Sequence, residues 1–126
     1  MRCAIYARVS TGLDSQKDSL ESQVSFFENH IKEKDWQLVD IYADEGITGR
    51  SMARRESLKR LIRDAERGLF DVVLIKALSR LSRDTPDTIN IVRTLHSHNV
   101  EVFSSREGMI DDEMILSVIS AVNQIL

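Results

Sequence analysis

With 126 residues, 42% of them hydrophobic and 29% charged, the chain has the size and composition of one compact domain with a buried core, and nothing in its composition divides it. A formal net charge of −3 is the wrong sign for a free-standing nucleic-acid binder, yet the 17 basic residues divide into 12 arginines and 5 lysines, and arginine is the cation suited to gripping phosphate or carboxylate. The single cysteine, Cys3, leaves no internal disulfide framework and reads as a small buried hydrophobe, while short apolar runs and an N-terminus without a signal-peptide pattern point to a cytoplasmic protein that does not enter a membrane.

The first element is a strand ending in "YARVST". Alternation puts Cys3, Ile5, Ala7 and Val9 on one face and Ala4, Tyr6, Arg8 and Ser10 on the other. The second face becomes polar toward the strand's C-terminal end, where open α/β sheets place their chemistry. Residues 18–34 follow as an amphipathic helix, with Leu20, Val24, Phe27 and Ile31 spaced four, three and four apart. "WQLVDIYA" (36–43) reads as a second strand, and "DEGITGRS" as a loop marked by its two glycines. Arg54 to Gly68 is a second helix with Leu58, Leu61, Ile62 and Ala65 on one face, and Gly68 is placed to end it.

"DVVLIKA" (71–77) is nearly continuous apolar sequence, as expected of a central parallel strand covered on both faces. Thr85 before Pro86 has the pattern of an N-cap followed by proline at the first helical position, and Thr88, Val92 and Leu95 carry that helix toward residue 98. "VEVFSS" (100–105) is a short strand. From Asp111, the positions Ile115, Val118, Ile119, Val122, Ile125 and Leu126 describe a helix still in phase at the last residue, with apolar residues on more than one face for a partner or continuation to cover. Strands alternating with helices predict an α/β fold, a mainly parallel central sheet flanked by helices.

The third strand runs into "LSRLSRD", where Arg80 and Arg83, three apart, can hold two oxygens of one phosphate. In a parallel sheet this segment shares a rim with Arg8 and Ser10, and Arg54 or Arg55 can reach the same rim from the loop behind the second strand. Clustered guanidiniums call for an anion, and a serine hydroxyl among them suits nucleophilic attack on a phosphodiester. Taken singly, each arginine is better read as part of a solvated surface, as for Arg60, Arg63, Arg67 and Arg93 beside acidic neighbours. Their joint placement at strand ends favours a site. His30, His96 and His98 lie on helices away from the rim and read as surface polarity, so a Ser-His-Asp triad has no base. Asp40, Asp44 and Glu45 are a weak metal candidate, since loop carboxylates before glycine commonly form turns. No Gly-rich nucleotide motif is present, so neither metal nor cofactor is expected.

"YARVST" with Arg8 and Ser10, "SLESQ" with Gln23, "DEGITG" followed by "RRESLKRL", and "LSRLSRD" together resemble the catalytic domain of the serine recombinases, the resolvase/invertase family. The resemblance runs in order through essentially all of residues 1–126. Around "DSLESQ" and "YADEGITG" it is closer to the large members, the serine integrases and transposon recombinases. It implies a resolvase-like catalytic domain whose C-terminal dimerisation helix, from about residue 111, is cut at the chain end, with DNA-binding domains absent. It implies site-specific cleavage and rejoining of double-stranded DNA without cofactor: Ser10 forms a 5′-phosphoserine link, and strand exchange proceeds through a homodimer that becomes a tetramer in synapsis. The matching site residues are Arg8, Ser10, Gln23, Arg80, Arg83 and, by aligning Leu58 with the family's leucine, Arg55 in preference to Arg54. Many members carry aspartate before the first arginine of the third motif, where this chain has Ser79, which leaves the general acid unassigned. The alternative is a resolvase-like module that dimerises without cutting.

Overall fold

The computed structural model describes residues 1–10, 19–46, 55–82 and 84–117, with the side chains of Ser10 and Gly46 outside that description. Five strands, β1 (Arg2–Ser10), β2 (Gln37–Gly46), β3 (Val72–Ile75), β4 (Glu101–Ser104) and β5 (Gly108–Ile110), form one sheet in the order β2-β1-β3-β4-β5. The first four are parallel and β5 is antiparallel to β4. The expected mainly parallel α/β sheet is therefore present, with β3 buried at every position near its middle. The antiparallel β5 was not foreseen, because three residues are too few to show a period.

Helix α1 (Leu20–Lys34) covers one face, where Cys3, Ile5, Val72 and Leu74 pack with Phe27 and the half-buried Val24 and Ile31. Helices α2 (Glu56–Glu66) and α3 (Thr85–Ser97) cover the other, where Ala4, Tyr6, Tyr42, Val73 and Val102 meet Leu58, Leu61, Ala65, Val92 and Leu95. Both faces of β1 are thus core until Arg8. Leu20 departs from the expected stripe and is exposed, because it opens α1 at the rim where the strands run out. His30 is not surface polarity: its ring stacks on Phe103 at 4.6 Å and meets Trp36 edge-on at 5.2 Å.

Helices α1, α2 and α3 each give way to a left-handed residue: Asp35 (φ 55), Gly68 (φ 72) and Asn99 (φ 62). At each, paired bonds return to the last turn, as in Gly68 N–H to the Ala65 carbonyl and Leu69 N–H to the Asp64 carbonyl. A Cβ at Gly68 would touch nothing within 4 Å, so Gly68→Ala tests backbone strain alone. It should lower unfolding free energy by about 1–2 kcal/mol in a urea titration. An unchanged midpoint would contradict that reading.

Two of the boundaries that differ from expectation have a visible cause. Helix α3 starts at Thr85, with Asp84 as N-cap: the Asp84 carbonyl already accepts the Thr88 N–H at 3.0 Å, so proline takes the second helical position rather than the first. Strand β2 continues through Asp44 and Glu45 to Gly46, because the ladder with β1 holds to its end, pairing Arg8 with Asp44 and Ser10 with Gly46. An extra residue in β2, Val39, shifts the register between Cys3 and Ala4 and brings Tyr42 beside Tyr6. Asp111 starts the last described helix, accepting the Met114 N–H at 2.8 Å, and Ile115 joins the core. The remainder of that expected helix, residues 118–126, lies outside the described residues, as does most of the expected loop, 47–53.

Candidate active site

Strands β1 and β3 are neighbours, and the chain leaves their C-terminal ends toward opposite faces, into α1 and α3 respectively. Such a reversal opens a crevice beyond the strand ends. Three expected site residues meet there. The carbonyl of Arg8 accepts Gln23 Nε2 at 3.3 Å, from the start of α1, and Arg80 Nη1 at 3.2 Å, from the 3-10 turn Leu78–Arg80 that follows β3. Gln23 is 2% exposed, which fits a side chain aimed inward from α1. The backbone of Ser10 lies two residues beyond Arg8 at the end of β1, and its side chain, together with Arg54 and Arg83, lies outside the described residues.

Arg55 attaches to the segment just after Arg80. Its Nη1 donates to the Leu81 carbonyl at 2.6 Å and its Nη2 to Asp87 Oδ2 at 2.7 Å. Burial pushes the Asp87 carboxyl up, but the bonds from Arg55 and Ser82 and the Arg55 charge outweigh it and hold the group below its ordinary value. A lowered folded-state value means stability present above the usual carboxylate range, about pH 4, and lost as pH falls below it. Asp87→Asn should therefore be less stable than the parent at pH 7 by denaturant midpoint, with the gap shrinking as pH falls below the ordinary carboxylate value and through the lowered folded-state one. A gap that persists in acid would remove this pair as its source.

Asp44 is the residue that sequence reasoning misassigned. It is no turn former: its carboxylate accepts the Tyr6 hydroxyl at 2.7 Å and the N–H groups of Ser57 and Leu58 at 2.9 and 3.0 Å. These are the second and third residues of α2, whose own N-cap, Arg55, makes no side-chain capping bond. An anion from β2 thus caps α2, where the helix dipole favours negative charge, and sets where Arg55 leaves the helix. Burial, then the Asp44 bond, raise the Tyr6 phenol well above the tyrosine range, while the Arg55 and Arg8 charges oppose the shift, so both cations flank this end of β1. Asp40, the other acidic candidate on β2, pairs with Arg60 at 3.2 Å, and Arg60 lies over the Tyr42 ring. Among the described residues no three His, Cys, Asp or Glu side chains are grouped to hold a metal ion, and no helix is long and apolar enough to cross a membrane.

Arg8 near the end of β1, Arg55 just before α2 and Arg80 in the turn after β3 thus lie about one rim, at the strand end where the backbone of Ser10 also lies. The family description "Resolvase, N terminal domain" matches residues 3–125. The chain is 33% identical to a resolvase/recombinase of Pseudomonas putida and 33% identical to the transposon Tn3 resolvase of Escherichia coli, in each case over 98% of its length. It spans 64% and 63% of those two proteins. Its fold matches the N-terminal catalytic domain of TP901-1 integrase with a TM-score of 0.78 at 32% identity, covering 99% of this chain and 95% of that one. A resolvase family site-specific recombinase from Streptococcus pneumoniae matches with a TM-score of 0.80 at 30% identity, covering 99% and 87%.

Proposed function

The chain belongs to the resolvase family of serine recombinases, and from that premise we propose that it cuts and rejoins double-stranded DNA at specific sites with Ser10 as nucleophile. The Ser10 oxygen bonds to phosphorus, the bond from phosphorus to the 3′-oxygen breaks, and the serine proton is delivered to that leaving oxygen. The product is a 5′-phosphoserine link and a free 3′-hydroxyl. Arg8, Arg55, Arg80 and Arg83 neutralise charge on the nonbridging oxygens, and Gln23 steadies the strand end. No metal or cofactor is needed, because the ester link to serine conserves the bond energy for religation by the second strand's 3′-hydroxyl.

The observation that carries this reading is the convergence of Gln23 and Arg80 on the Arg8 carbonyl, two residues before Ser10. The net charge of −3 supports assigning most DNA affinity to protein outside these residues, with the domain supplying chemistry and assembly as a homodimer and, in synapsis, a tetramer. The test is to incubate the full-length protein with labelled recombination-site DNA, quench with denaturant, and digest. A 5′-phosphoryl adduct on the peptide containing Ser10 is expected; bound and synapsed DNA without an adduct would sink the proposal. The second reading, a module that dimerises without cutting, is favoured only by Ser79, which is exposed beside Arg80 and supplies no carboxylate.

A further inference from the structure

The turn that carries Arg80 is secured from the far side of the sheet's edge. Its first residue, Leu78, donates its N–H to both oxygens of Glu107, at 3.0 and 3.3 Å, and Ala77 before it offers no side-chain cap. Glu107 lies in the tight connection between β4 and β5. It is itself held by Ser104, which is fully buried and whose hydroxyl stands 2.6 Å from Glu107 Oε1. That hydroxyl also stands 3.4 Å from the Lys76 carbonyl, but it has one proton, and the shorter, charge-assisted contact takes it. The same connection grips the exit of β3 through Ser105 N–H to the Ile75 carbonyl, Arg106 N–H to the Lys76 carbonyl and Ser105 Oγ to the Lys76 carbonyl.

We propose that Glu107 is a positioning residue for Arg80: its carboxylate, oriented by Ser104, caps the 3-10 turn and fixes the guanidinium against the strand end. The inference rests on the reading of Arg80 as a phosphate-binding residue. A catalytic cation that shifts by about 1 Å loses on the order of 10²-fold in rate. Glutamine at 107 keeps an oxygen able to accept from both Leu78 and Ser104, whereas alanine keeps none.

The experiment compares Glu107→Ala, Glu107→Gln, Arg80→Ala and the Glu107→Ala/Arg80→Ala pair in the full-length protein. It reads the rate of covalent DNA adduct formation, DNA affinity and hydrogen exchange at the Leu78 amide. Glu107→Ala should slow adduct formation by roughly 10- to 100-fold at unchanged DNA affinity, Glu107→Gln should stay within about 3-fold of the parent, and Glu107→Ala should add less than about 3-fold once Arg80 is gone. Equal losses for alanine and glutamine, or additive losses in the pair, would overturn the proposal by making Glu107 a general stabiliser. Leu78 exchange should quicken in Glu107→Ala and stay slow in Glu107→Gln. Unchanged exchange in Glu107→Ala would overturn the positioning role whatever the adduct rates. A parent protein that forms no adduct, with Leu78 exchange responding as expected, would instead overturn the recombinase reading and leave the cap standing.

Discussion

On the proposed mechanism, replacing Ser10 with alanine is expected to lower covalent DNA adduct formation by roughly 10⁴-fold or more, because removal of a nucleophile leaves only binding and charge stabilisation. Among the described residues, the groups that meet at the Arg8 carbonyl and beside it offer no nucleophile of their own. The neighbouring groups are guanidiniums, a glutamine and a phenol whose proton is held by burial and Asp44. The adduct should vanish in the denaturing assay while the gel-shift affinity of the full-length protein for its site is unchanged. An adduct persisting on the Ser10→Ala protein would move the nucleophile elsewhere, with Ser79 the first position to map.

The second large effect is on folding. Asp44→Ala should lower unfolding free energy by about 3–5 kcal/mol, since it strands the Tyr6 hydroxyl and two helix N–H groups in the interior, each a donor costing about 1–3 kcal/mol when unpaired. That is a large share of the 5–15 kcal/mol a domain of this kind has. Asp44→Asn, which keeps one acceptor oxygen, should fall between the two, and Tyr6→Phe, which leaves the helix cap intact, should cost least. Urea titrations of the three variants test the order. A loss under about 1 kcal/mol for Asp44→Ala would mean that water replaces the carboxylate at little cost. The neutral Tyr6 phenol adds a pH dependence of its own: a raised folded-state value gives stability that is complete below the ordinary tyrosine value, about 10, and is lost as pH rises beyond it.

The alternation of strands and helices, the central placement of β3 and the stripes of α2 and α3 were legible because burial imposes a period on apolar residues, and period survives in one dimension. So was the meeting of Arg8 and Arg80, since Arg8 lies near the C-terminal end of β1, Arg80 follows β3, and parallel strands end on one rim. Asp44 was not. Its partners, Tyr6, Ser57 and Leu58, lie 38, 13 and 14 residues away, and only the register shift at Val39 brings its carboxylate alongside Tyr6. Asp87 and Glu107 escaped for the same reason. Each is bonded to one residue far away in sequence, in a segment whose own residues look ordinary. His30 was misread because a lone polar letter on a helix carries no sign of the aromatic side chains it will lie between.

Gln23 and Arg80 meet at a peptide oxygen, and that oxygen belongs to whatever residue occupies position 8. The side chain there can be exchanged without withdrawing the acceptor that holds its neighbours. Framework and charge are thus separable at this position: a change of side chain alters the electrostatics of the rim and leaves the scaffold bonded to the peptide oxygen in place.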